Sequence, residues 1–144
     1  MLTNFWPPAG ATKPAIFSWG MRCFEPLPDE QVWEKPEFWP TQPEIEGYAE
    51  ANGGFVRGVC HVCASLYVVA LRLRGFNARY MIIATEVCPP DRKYDHCICE
   101  SDGDLFDSRF PQGISDRATL IGVGYKFIEM GGLKPGDPWM EIKQ

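Results

Sequence analysis

The side chains best suited to chemistry are six cysteines, at positions 23, 60, 63, 88, 97 and 99, and two histidines, His61 and His96. Cysteine catalysis requires a thiolate, an imidazole to move protons, and usually a third group that orients the imidazole. Cys60 stands where a long apolar segment begins to show helical character. Unpaired amides and the positive end of the dipole at a helix start lower a thiol pKa. The same amides can hold the oxyanion of a tetrahedral intermediate. Gly58, two residues earlier, allows close approach of the chain, so Cys60 is the expected nucleophile. His96 is the expected base. His61 reads as a surface or rim residue, and Cys63, one helical turn from Cys60, as a small buried hydrophobe.

A hairpin tests the choice of third residue. Tyr94 to Glu100 and Asp104 to Arg109 read as strands flanking Ser101-Asp102-Gly103-Asp104, and Asp-Gly between apolar runs signals a tight turn. A two-residue turn pairs Ser101 with Asp104, Glu100 with Leu105, and Ile98 with Asp107. His96, Ile98 and Asp107 then share one face, with Asp107 diagonal to His96 at roughly 7–8 Å between backbone positions. Asp104 falls on the other face, which makes Asp107 the expected orienting acid. Cys97 and Cys99 point away from His96, beside Phe106, as core. The assignment depends on this register, since a one-residue slip reverses the face of every side chain.

The positioning elements follow from periodicity. Cys60 to Arg74 is apolar on nearly every side until its last turn, the pattern of a buried helix, closed by Gly75. Arg72 and Arg74 lie at the negative end of its dipole. Before it, Pro43 to Glu50 reads as a short helix with Thr41 or Gln42 preceding it and Asn52-Gly53-Gly54 ending it. Phe55 to Val59 reads as a loop. After Gly75 the pattern alternates: Phe76, Ala78, Tyr80, Ile82 and Ala84 mark a strand running to about Val87. A turn spans Cys88 to Lys93, another strand is expected from Gly124 to Met130, and Gly131 to Pro138 is irregular. The first forty-odd residues carry most of the prolines and Trp6, Trp19, Trp33 and Trp39, an irregular aromatic arm that wraps the core. No internal repeat is present.

Two stretches together resemble the transglutaminase-like superfamily: Gly58-Val59-Cys60-His61-Val62-Cys63-Ala64 with Leu71-Arg72-Leu73-Arg74-Gly75-Phe76-Asn77-Ala78-Arg79, and His96-Cys97-Ile98-Cys99-Glu100 with Leu105-Phe106-Asp107. The first is similar to that family's nucleophile helix and following strand, the second to its His and Asp strands. The resemblance implies a papain-like α+β fold, with a buried nucleophile helix packed on an antiparallel sheet, and a Cys60-His96-Asp107 triad. Family members act on amide bonds as proteases, transglutaminases, deamidases or amidases, which implies a protein or peptide substrate and no cofactor or metal. The expected organisation is one transglutaminase-like domain over 1–144, with an arm at 1–42 and a catalytic core at 43–130. Gln42, Tyr48 and Asn52 are upstream candidates for a second oxyanion donor.

Composition bounds the alternatives. The chain has 144 residues, 45% hydrophobic and 13% aromatic, with a net charge of −5. That length suits one domain, and the absence of a basic stripe argues against nucleic acid as a partner. The opening residues lack the basic start and apolar run of a signal peptide, and no segment approaches the roughly 20 apolar residues of a membrane span. The expected location is cytoplasmic, with reduced thiols. Three rivals stand beside the enzyme: a thiol-disulfide redox protein using Cys60-x-x-Cys63; a zinc site built from Cys60, His61 and Cys63 with His96, Cys97 or Cys99; and a catalytically inactive interaction domain.

Overall fold

The structure, a computed structural model, describes residues 4–27, 40–91 and 94–128. In chain order the elements are α1 (Lys13–Cys23), β1 (Phe24–Pro26), α2 (Gln42–Ala51), β2 (Val56–Gly58), α3 (Cys60–Leu73), β3 (Arg79–Ala84), β4 (His96–Ser101), β5 (Asp104–Phe106), α4 (Arg117–Gly122) and β6 (Lys126–Ile128). The protein is a mixed α+β fold. Its main sheet is antiparallel, ordered β5-β4-β3-β6, and a separate parallel pair joins β1 to β2.

The long helix forms where its apolar pattern predicts. Every residue of α3 from Cys60 to Leu71 is buried, and Gly75 lies just beyond its C-cap, Arg74, at φ +91°. α3 packs with Tyr80, Ile82, Cys97, Cys99 and Phe106 of the sheet in one apolar cluster. Ser65 and Tyr80 share a buried hydrogen bond of 2.8 Å that ties helix to strand. A second cluster joins Met81 and Ile83 of β3, Ile98 of β4 and Leu105 of β5, the alternates of the residues that face α3, to Leu120 of α4 and to Tyr125, and so covers the sheet's other face.

The hairpin register is the predicted one: Ser101 pairs with Asp104, Glu100 with Leu105, and Cys99 with Phe106. Asp102 and Gly103 both take positive φ, +48° and +92°. That is the type I′ geometry whose twist matches the strands it joins. Lys13, at the start of α1, anchors the tip by donating to the Ser101 carbonyl at 2.9 Å and to Asp104 at 3.0 Å.

Four expectations are corrected. The N-terminal arm is not irregular throughout: residues 13–23 form α1. Thr12 caps it by accepting from the Ala15 amide at 3.2 Å, and Pro14 sits in the first turn. That proline is favourable there, because first-turn amides lack helical partners. Phe5, Trp6 and Trp19 do pack against the core as a wrapping arm; Trp33 and Trp39 lie outside the described residues, as does the irregular tail at 131–138. Residues 56–58 are a short strand rather than loop, because β1 supplies a parallel partner distant in sequence. The strand expected over 76–87 is confined to Arg79–Ala84, and α4, where no element was expected, is capped by Asp116 through the Thr119 amide at 2.8 Å. By contrast, α2 has the expected caps: Glu44 accepts from the Thr41 amide at 2.9 Å, and Asn52 ends the helix.

Gly58 does permit close approach, and the neighbour is Val62. A Cβ built on Gly58 would lie 2.7 Å from Val62 Cβ, at the first turn of α3. Gly58→Ala is expected to cost about 1–3 kcal/mol in urea unfolding, as overpacking does. Combined with Val62→Ala, the loss should be smaller than the sum of the two single losses. Strict additivity would show that this contact does not govern how α3 begins.

Candidate active site

Cys60 is the first residue of α3, preceded by extended Val59 (φ −112°, ψ −172°). Within this first turn the amides of Val62 and Cys63 are taken by the Val59 carbonyl, at 3.0 and 3.1 Å. The amide of Cys60 takes no backbone acceptor among the described residues. Helix starts leave such groups available to polarise what lies beside them. Cys60 is only 7% exposed.

His96 opens β4, opposite Ile83 of β3. The residue before it is clamped: Asp95 accepts from the Thr85 amide at 2.7 Å and from the Thr85 hydroxyl at 2.6 Å, while the Asp95 amide donates to the Ile83 carbonyl at 3.1 Å. These bonds fix where the strand starts and hence where the imidazole emerges. The ring and the Cys60 sulfur are close enough to shift each other's ionisation in opposite directions. Its Nε2 is 2.6 Å from Asp107 Oδ1, which leaves Nδ1 as the nitrogen to serve the sulfur.

Asp107 follows β5 by one residue and is 1% exposed. Besides His96 it accepts from the Arg109 amide at 2.9 Å, a local turn typical of Asp, and from the Tyr125 hydroxyl at 3.0 Å. Burial alone would raise its pKa; hydrogen bonding and attraction from His96, with the Arg109 amide and Tyr125, outweigh this and lower it. Arg109 lies over the Tyr125 ring, 5.4 Å from the centroid, and pairs with Glu86 at 3.1 Å.

The charges of Cys60 and His96 support each other. Burial would raise the Cys60 thiol, but hydrogen bonds from His61 and His96, with electrostatic attraction to the two rings, bring it down to about 6. Burial would equally lower His96; hydrogen bonds with Asp107 and Cys60, and attraction to both, raise it to about 10. The two titrate as a pair. Below about 6 the sulfur takes up a proton, and above about 10 the imidazolium loses one, so a thiolate-imidazolium pair occupies the interval between.

The remaining thiols behave otherwise. Cys63 is buried, as expected of a small hydrophobe, and burial pushes it well above the ordinary thiol range. Cys97 and Cys99 are core residues beside Phe106, with thiols pushed up by burial. Cys23 is raised to about 12, again chiefly by burial. All six cysteines are free.

The structure thus brings together Cys60, His96 and Asp107. It does not bring in the upstream oxyanion candidates. Gln42 donates to Glu46 at 3.1 Å, the Asn52 amide group donates to the Tyr48 carbonyl at 2.9 Å, and the Tyr48 side chain is 38% exposed. No hydrogen bond joins any of them to Cys60 among the described residues. His61 is also corrected: it is 1% exposed rather than on the rim, with Nδ1 3.8 Å from the Cys60 sulfur. Tyr125 is a site residue that no sequence motif marks. Among the described residues no three His, Cys, Asp or Glu side chains are grouped so as to hold a metal ion, and no helix is long and apolar enough to cross a membrane.

The thiolate absorbance near 240 nm, taken as the difference between the unaltered protein and Cys60→Ser, should appear with a midpoint near pH 6. His96→Asn should move it upward by more than one unit, on the order of the stabilisation that a close cation gives. A midpoint at the ordinary value near 8.5 in the unaltered protein would remove the ion pair.

No protein-family model matches this chain, and neither a curated protein nor a solved structure does so.

Proposed function

We propose that this protein is a cysteine-dependent acyl-transfer enzyme of transglutaminase-like, papain-like type, acting on amide bonds of a protein or peptide. The observation that carries the reading is the buried 2.6 Å hydrogen bond between His96 and Asp107, with His96 near enough to lower the Cys60 thiol. A thiolate at a helix start, an imidazolium beside it and a carboxylate behind are the parts that nucleophilic acyl transfer needs.

In this mechanism the Cys60 thiolate attacks the amide carbonyl carbon, and the carbonyl π electrons move to oxygen. The amide of Cys60 donates to that oxyanion. As the intermediate collapses, His96 gives its proton to the departing amine and a thioester remains on Cys60. Neutral His96 then takes a proton from water or from an acceptor amine, which attacks the thioester and returns the thiolate. Asp107 keeps Nδ1 of His96 turned to the sulfur and compensates the imidazolium charge. Tyr125 and the Arg109 amide hold Asp107 in turn. Six free thiols accord with a reducing, cytoplasmic setting.

The dithiol alternative draws less support. The buried, high-pKa thiol of Cys63 is a poor partner for exchange, and β2, which precedes the motif, pairs with β1 outside the main sheet.

The test is covalent trapping with a library of peptides that carry an electrophile in place of the scissile amide, read by intact mass. One adduct on Cys60 is expected, absent in Cys60→Ala. With a substrate identified in this way, Cys60→Ala and His96→Ala should each abolish turnover, Asp107→Asn should lower it about 10²–10⁴-fold, and Cys63→Ser should be mild. The specific rate should rise through about pH 6 as the thiolate forms and fall through about pH 10 as His96 loses its proton. Retained turnover in Cys60→Ala would rule the mechanism out.

A further inference from the structure

The mechanism above leaves one buried imidazole unused. His61 is the residue after Cys60, is 1% exposed, and turns its Nδ1 to within 3.8 Å of the Cys60 sulfur. Consecutive residues on a helix point about 100° apart and do not ordinarily face each other. A contact between them therefore requires a side-chain conformation that brings the ring back over its neighbour. Burying an imidazole has a cost unless its polar atoms are matched, and Nδ1 is aimed at the sulfur.

We propose that His61 is a second imidazole partner of the nucleophile: its Nδ1–H donates to the Cys60 sulfur and holds the thiolate at the helix start, while His96 carries the mobile proton. The inference rests on reading Cys60 as the nucleophile and deepens that reading with a residue acting directly on the reacting atom. The division of labour follows from the surroundings. A thiolate only accepts hydrogen bonds, so a nitrogen facing it must bear hydrogen. His96 has Asp107 at 2.6 Å to balance an imidazolium, so the extra proton resides there. No proton passes through His61. It serves as a fixed donor, stabilising the thiolate before attack and again when sulfur departs from the thioester.

The other titratable groups facing the sulfur are Cys63 on α3, Cys97 and His96 on β4, and, through His96, Asp107. Cys63 and Cys97 stay protonated through the relevant range, because burial holds both thiols high. The two imidazoles are thus what keeps the sulfur ionised, and removing either should be read out at the sulfur.

Two measurements test this. The first compares His61→Phe, which keeps the volume but has no donor, with His61→Asn, whose side-chain amide stands near the place of Nδ1. His61→Phe should raise the Cys60 thiolate midpoint by about one unit and slow iodoacetamide alkylation at pH 6 about fivefold. His61→Asn should recover most of that loss. An unchanged midpoint in a folded His61→Phe overturns the proposal, whereas a residue that only fills space would leave the midpoint where it is.

The second measurement needs no variant at His61 and so stands even if both substitutions prevent folding. The chain has two histidines, so 15N-histidine labelling gives spectra with two rings, assigned with His96→Asn. His61 should carry hydrogen on Nδ1, facing the sulfur, at pH 8. Its shifts should move as the thiolate forms near pH 6 and cease to do so in Cys60→Ser. Hydrogen on Nε2 with Nδ1 bare would overturn the proposal. These readouts require no turnover: absence of an acyl adduct would defeat the enzyme reading alone, and a silent His61 would defeat this inference alone.

Discussion

The hydrogen bond of 2.6 Å between His96 and Asp107 is made where both side chains are almost fully withdrawn from water, at 6% and 0% exposure. A charge in such a place is costly unless another charge and well-aimed donors balance it. Asp107 has three: His96, the Arg109 amide and the Tyr125 hydroxyl. With its charge secured, the carboxylate makes an imidazolium tolerable next to it, and that imidazolium makes a thiolate tolerable at Cys60. Each ionisation depends on the one behind it. Loss of the Asp107 carboxylate would leave His96 without a counter-charge, and Cys60 would revert toward an ordinary thiol.

Much of the remaining structure fixes these groups at their separations. α3 is buried along its length, so it cannot rotate to present another residue where Cys60 stands, and Gly58 lets the preceding strand lie against Val62 at its start. β4 and β5 are locked in one register by a turn with two positive φ angles, anchored at the tip by Lys13. The Thr85–Asp95 clamp sets the first residue of β4. Three side chains far apart in sequence therefore converge because one helix and one hairpin share a core. The sheet's second face contributes as well, since Tyr125 reaches Asp107 from the Leu120 and Leu105 cluster.

The parts legible in the sequence are those governed by local rules. An unbroken apolar run with a terminal glycine is a buried helix, and Asp-Gly between alternating strands sets a register; the observed pairing follows that register as far as Cys99 with Phe106, and although β5 ends there, short of the expected Arg109 and without an Ile98–Asp107 pair, Asp107 still reaches His96. The parts not legible depend on partners remote in sequence. Residues 56–58 become a strand only because residues 24–26 lie alongside, and Tyr125 is a site residue only because the chain returns past α4. α1 does carry a local signal, since Thr12 followed by Lys13-Pro14 marks a helix start, but it sits in a proline-rich and tryptophan-rich stretch whose composition points to irregular chain. His61 was misplaced for a subtler reason. Helical spacing turns residue i+1 away from residue i, and only the side-chain torsion, which periodicity does not reveal, brings the ring back to the sulfur.

The central claim concerns where one proton resides, and neutron diffraction from deuterium-exchanged crystals near pH 8 locates it directly. The account predicts deuterium on both ring nitrogens of His96, Nε2 pointing to Asp107, and none on the sulfur of Cys60. Deuterium on that sulfur, with a single deuterium on the His96 ring, would contradict it.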